Sequence, residues 1–164
     1  MKKQDYESLI QFFSRHPFCL SLLRTANKGL SFSAFVLYPL LLGWKMAEKN
    51  KEALALFFCP AFFFTTMGII RKLIGRKRPY EQFDFIPAIH REGKGESFPS
   101  RHVFSIFLIA TLWAHYLLPL GIFLYICGVF LALARVLGGV HFPGDVFWGA
   151  IIGTVCGLLI LLLL

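Results

Sequence analysis

Ala53 to Ile70 runs without a single charged residue. A helix that crosses a membrane needs about 20 mostly apolar residues, within a range of ~17–25, and this stretch supplies them. Leu30 to Ala47 has the same character, with Lys45 placed to snorkel at its end. Val103 to Ala134 is too long for one span. Its interior holds His115 alone among acidic and basic residues, and Pro119-Leu120-Gly121 divides it into two short antiparallel helices. Val146 to Leu164 supplies the last span.

The expected fold class is therefore all-α: an integral membrane helical bundle with about five transmembrane helices. Composition agrees. Hydrophobic residues make up 57% and charged residues 16%, where a soluble domain would carry about a quarter charged. The charges also sit between the apolar blocks. The length of 164 residues favours one domain over 1–164. Residues 1–28 read as an N-terminal interfacial segment. Between Tyr6 and Leu23 it mixes Leu9, Ile10, Phe12, Phe13, Phe18 and Leu22 with Arg15 and His16, as a helix lying in the membrane interface does. A kink is expected near Pro17, and a sixth, poorly formed span is the alternative. The basic start, followed by an apolar stretch broken at Ser14-Arg15-His16-Pro17, does not fit a cleavable signal peptide. No strand pattern or internal repeat is visible.

The net charge of +8 points to a phosphate-bearing ligand or anionic headgroups. Nucleic acid is disfavoured, because the basic residues flank spans and do not line one soluble face. Cys19, Cys59, Cys127 and Cys156 each lie in an apolar stretch without ligand spacing, so neither a disulfide nor a zinc site is expected.

Five spans put the Gly75–Arg101 loop, the Arg135–Asp145 loop and the N-terminal segment on one face. The loop over 75–101, rich in Gly, Pro and charge, reads as an active-site loop. Three polar clusters meet there. The first runs from Arg71 to Pro79. Arg71 and Arg78, seven apart, would share one helical face and could clamp a phosphate, or simply flank a span. The second is Pro99-Ser100-Arg101-His102, opening a span. A helix start binds anions, and Ser100 suits either an N-cap or a phosphate donor. The third runs from Arg135 to Asp145. Asp145 is four residues beyond His141, close enough to fix its tautomer and leave the other nitrogen free to attack. These groups are a kit for phosphoryl transfer. Acidic residues number nine in the whole chain, and nothing resembles a two-metal carboxylate cage, so no metal or other cofactor is expected.

At these residues the chain resembles the type 2 phosphatidic acid phosphatase (PAP2) superfamily. That family's pattern is Lys-x6-Arg-Pro, Pro-Ser-Gly-His and Ser-Arg-x5-His-x3-Asp. Here the same order and spacing read Arg71-x6-Arg78-Pro79, Pro99-Ser100-Arg101-His102 and Ala134-Arg135-x5-His141-x3-Asp145. The resemblance implies roles. His141 would be the nucleophile that becomes phosphohistidine, Asp145 its orienting base and His102 the acid for the leaving oxygen. Arg71, Arg78, Ser100 and Arg135 would bind the phosphoryl oxygens, with the backbone N–H near Arg101. Three positions depart from the pattern: Arg71 for lysine, Arg101 for glycine and Ala134 for serine.

The implied activity is metal-independent hydrolysis of a phosphate monoester or pyrophosphate of a lipid. Undecaprenyl pyrophosphate, phosphatidylglycerophosphate and phosphatidic acid all suit such a site. The implied location is a bacterial plasma membrane with the active site facing outward. Two alternatives keep the same residues: a lipid phosphotransferase, and a non-catalytic protein that binds anionic lipid. Expected partners are membrane lipids and the lipid phosphate, with no nucleic acid.

Overall fold

The structure, a computed structural model, describes residues 1–49, 51–90 and 95–164. Seven helices follow one another: α1 (Lys3–Arg15), α2 (Pro17–Ala47), α3 (Glu52–Ile74), α4 (Pro79–Phe83), α5 (Arg101–Tyr116), α6 (Leu118–Leu137) and α7 (Pro143–Leu162). Four stretches are long and apolar enough to cross a membrane: α2, α3 with α4, α6 and α7. The fifth is α5. At 16 residues it is only about 24 Å long, but it runs through the middle of the bundle, packed chiefly on α7 and α6. The protein is an integral membrane bundle. Its outward faces carry Phe35, Phe58, Phe62, Leu73 and Leu162, all exposed, as lipid-facing residues are.

The break within 103–134 falls at Leu117, with Pro119 in the first turn of α6, where its missing N–H costs nothing. At the N-terminal side the structure differs from expectation. Only α1 is a separate helix: the chain breaks at His16, where a kink was expected near Pro17, and α2 then runs unbroken from Pro17 to Ala47, so Pro17 to Lys28 are continuous with the first span. A helix of 31 residues is about 46 Å long and overshoots a ~30 Å hydrocarbon core. Its polar first turns bond to the loops at that end: Arg24 Nε donates to the Ala88 carbonyl at 2.8 Å. At the other end of the bundle, Lys45 is buried, with its Nζ over the Trp44 and Tyr116 rings and bonded to Glu48 at 3.0 Å.

Three glycines explain the tight α5–α7 pair. Gly149, Gly153 and Gly157 recur every fourth residue along one face of α7. A Cβ on Gly149 would meet the Ser100 carbonyl oxygen at 2.8 Å, and one on Gly153 the Phe104 carbonyl oxygen at 2.4 Å. Without side chains the two backbones approach directly, the usual way membrane helices pack without a hydrophobic driving force. The approach brings the start of α5 against the start of α7: the Ser100 N–H donates to the Asp145 carbonyl at 2.9 Å.

Candidate active site

The polar residues gather at the end of the bundle where α5 and α7 begin. Arg71, Arg78, Ser97, Ser100, Arg135, His141 and Asp145 are all buried there. Buried charge is stable only when paired and hydrogen-bonded, and the partners come from every loop on this face.

The first cluster is not arranged as spacing suggests. α3 ends at Ile74, because Gly75 takes a left-handed conformation with φ 59° and its N–H closes the helix on the Arg71 carbonyl at 3.0 Å. Arg78 therefore does not continue the face of Arg71; it is the N-cap of α4. The two arginines meet the site because the chain folds back. Arg71 donates to the carbonyls of Pro99, at 2.5 Å, and Glu96. Arg78 donates through Nε to the Gly95 carbonyl at 3.2 Å, and Glu81 ties the Gly95 and Arg78 N–H groups together. Both arginines thus hold the stretch that leads into α5. Residues 91–94 of the loop over 75–101 lie outside the described residues.

In the second cluster Ser100 is the N-cap of α5, but its hydroxyl caps nothing. The oxygen is buried with no hydrogen-bond partner among the described residues. Arg101, next along, points elsewhere. Its side chain is exposed and the guanidinium lies over the Phe64 ring, 5.5 Å from the centroid. Arg101 and His102 both line a cavity of about 680 Å³ between α2, α3 and α5, whose other walls are mainly apolar, including Phe35, Tyr38, Phe57 and Phe64.

The third cluster holds the pair expected to react. His141 and Asp145 are each 0% exposed. His141 Nδ1 lies 3.6 Å from Asp145 Oδ2, within reach of ion pairing but longer than a hydrogen bond. Neither imidazole nitrogen has a hydrogen-bond partner among the described residues. Burial pushes the His141 pKa down to about 4; the nearby Arg135 and Arg78 push the same way, and Asp145 opposes them. The imidazole is therefore neutral near pH 7, the form that attacks. Arg135 is itself fixed: its Nη1 reaches Asn27 Oδ1 at 3.4 Å, and its carbonyl accepts the His141 N–H at 3.3 Å.

Four residues that spacing did not single out complete the site. Arg76 Nη1 donates to Asp145 Oδ1 at 2.8 Å, and Ser97 Oγ donates to Asp145 Oδ2 at 2.5 Å. Tyr6, buried on α1 against Phe83, Phe85 and Phe142, donates its hydroxyl to the His141 carbonyl at 3.1 Å. Burial, then the charge of Asp145, raises its pKa well above the ordinary tyrosine value, so the hydroxyl stays a donor. Asn27 is the fourth. Arg76 was visible within the first cluster; Tyr6, Asn27 and Ser97 carry no local signal, because their partners lie far along the chain. Among the described residues, no three His, Cys, Asp or Glu side chains come together as metal ligands.

Comparison with known proteins places the chain. Two lipid A 1-phosphatases are similar in sequence. That of Rhizobium etli is 29% identical over 147 residues, 82% of this chain and 59% of the relative. That of Rhizobium johnstonii is 27% identical over 148 residues, 77% of this chain and 60% of the relative. The chain spans about 60% of the length of these relatives. Among solved structures, LpxE of Aquifex aeolicus superposes with a TM-score of 0.70 at 26% identity, covering 85% of this chain and 86% of that one. The first transmembrane PAP2 type phosphatidylglycerolphosphate phosphatase from Bacillus subtilis shares the fold, with a TM-score of 0.56 at 22% identity over 96% of this chain and 94% of that one. The family model of the PAP2 superfamily matches residues 52–164. That match takes in α3 to α7 and every residue of the three clusters, and the chain belongs to the PAP2 superfamily.

Proposed function

We propose that this protein is a metal-independent lipid phosphatase that works through a phosphohistidine at His141. The observation that carries the reading is the buried His141–Asp145 pair, gathered with the buried Arg71, Arg78 and Arg135 where α5 and α7 begin, while His102 in the first turn of α5 lines a largely apolar cavity. Neutral His141 attacks phosphorus through Nε2. The bond from phosphorus to the lipid oxygen breaks, and His102 gives that oxygen its proton. Asp145 stabilises the imidazolium that forms. Arg71, Arg78, Arg135, the Ser100 hydroxyl and the first N–H groups of α5 bind the three equatorial oxygens, where negative charge gathers. Water then attacks the phosphohistidine, His102 takes a proton from it, and inorganic phosphate leaves.

His102 lines the apolar cavity, so the leaving oxygen and the lipid it belongs to are placed on that side. Arg101 stands at the same wall and supplies a cation toward the headgroup, while only its backbone serves the phosphoryl group. The names of the relatives make lipid A 1-phosphate the first substrate to test, beside undecaprenyl pyrophosphate, phosphatidylglycerophosphate and phosphatidic acid. We place the site on the outer face of a bacterial plasma membrane.

The test is phosphate release from this panel by purified protein in EDTA. At least one lipid phosphate is expected to turn over in the chelator, and His141→Ala to abolish that turnover. Activity lost in EDTA and restored by magnesium would overturn the metal-independent reading. Binding of all four lipids without release of phosphate would favour a non-catalytic lipid-binding protein.

A further inference from the structure

We infer that Arg76 is a positioning residue for the reaction: it anchors the far side of the Asp145 carboxylate and keeps its near oxygen facing His141. This rests on the reading of His141 and Asp145 given above.

Asp145 is fully buried, and each of its oxygens has a separate duty. Oδ2 takes the Ser97 hydroxyl at 2.5 Å and the Phe142 N–H at 2.9 Å, with His141 Nδ1 3.6 Å away. Oδ1 takes Arg76 at 2.8 Å. The neutral donors on Oδ2 come from the stretch before α5 and from the residue next to His141. Arg76 brings a cation to this carboxylate, and it comes from the link after α3. Its place is fixed as well, with the guanidinium 4.8 Å above the Phe142 ring and 5.9 Å from the Phe98 ring. Arg76 thus ties the first cluster to the third.

Two physical effects follow. A buried carboxylate without a counter-charge is strongly destabilising, and Arg76 supplies that charge from the side away from the imidazole. The Arg76 side chain is 44% exposed, so water screens it. Its attraction holds the carboxylate in place without cancelling the charge that the imidazolium will need. Arg135 and Arg78 sit near His141 and disfavour a positive imidazole. Asp145 must offset both during phosphoryl transfer, and a carboxylate free to swing away could not.

The experiment compares wild type with Arg76→Met, Arg76→Lys and His141→Ala, measuring kcat, KM and acid-labile phosphoenzyme on the best lipid substrate. Arg76→Met is expected to lower kcat by about 10- to 100-fold, the usual worth of a hydrogen bond to a charged group. KM should hold within about twofold, because Arg76 bonds to Asp145 and not to the phosphoryl group. Arg76→Lys restores the cation and should recover most of kcat, which repair of a merely structural defect would not require. If His141→Ala remains active, the reading of the site fails and this inference falls with it. If His141→Ala is dead, three results overturn the inference alone: Arg76→Met at wild-type kcat, a rise in KM at unchanged kcat, or no recovery in Arg76→Lys.

Discussion

At the residue scale, the two histidines differ in their surroundings, and their chemistry should differ accordingly. His141 is fully buried beside Asp145. His102 lies in the first turn of α5, partly exposed, on the wall of the cavity. A nucleophile is indispensable whatever the leaving group, whereas general acid catalysis is worth about 10²–10⁴-fold and is dispensable when the leaving group is good. His102→Ala should therefore lose about 10²–10⁴-fold on a lipid phosphate, yet stay within about tenfold of wild type on p-nitrophenyl phosphate. His141→Ala should be inactive on both. The reverse pattern would exchange the two roles.

The surroundings of His141 also set a pH dependence. Its pKa falls from the ordinary 6.5 to about 4, and only the neutral ring attacks. Activity should thus persist as pH drops through 6.5 and fail near 4, so the acid limb of kcat/KM, which reports the free enzyme, should lie well below 6. The same shift has a sign for stability. The unfolded chain binds the proton near 6.5 and the folded one does not, so this contribution is complete above 6.5 and shrinks as pH falls toward 4. A limb centred at or above 6.5 would show that the imidazole is not buried as described.

At the scale of elements, α7 is what brings the third cluster to the second. Its glycines let the backbone of α5 come close enough for the Ser100 N–H to reach the Asp145 carbonyl. Gly153→Leu would put a side chain where a Cβ alone would stand 2.4 Å from the Phe104 carbonyl oxygen. The helices must then part. We expect loss of activity together with a lower Tm in detergent, since overpacking costs about 1–3 kcal/mol and often more where backbone blocks the way. Gly68→Ala is the control, with nothing within 4 Å of the added carbon, and should keep both. Normal activity in Gly153→Leu would mean that the α5–α7 approach is not required.

At the scale of the whole molecule, the sequence made the membrane bundle legible because charge is excluded from spans, and that exclusion leaves a mark in every block. It also made the three clusters legible, because each sits at a span end and alternation of the spans puts all of them on one face. The helical reasoning within the clusters fared less well. Arg71 and Arg78 were expected on one helix face, but Gly75 ends that helix between them. Pro17 to Lys28 looked too polar to begin a span. Arg24 and Asn27 find partners in Ala88 and Arg135, and a polar side chain with a tertiary partner gives no local sign of it. Tyr6 and Ser97 were illegible for the same reason: a contact between distant segments has no period to detect.

The bond from Tyr6 to the His141 carbonyl joins residues 135 positions apart. Ribosomes extend chains at about 5–20 residues per second, so on the order of 10 s separates the synthesis of its two ends. Throughout that interval α1 is finished while its receptor surface is still unmade, since the loop around His141 and the carboxylate on α7 are among the later parts of the chain to emerge. The catalytic centre proposed above is thus a late product of biogenesis: a nascent chain halted after α6 would hold the arginines and His102 but not His141, the proposed nucleophile, and is expected to capture a lipid phosphate without cleaving it.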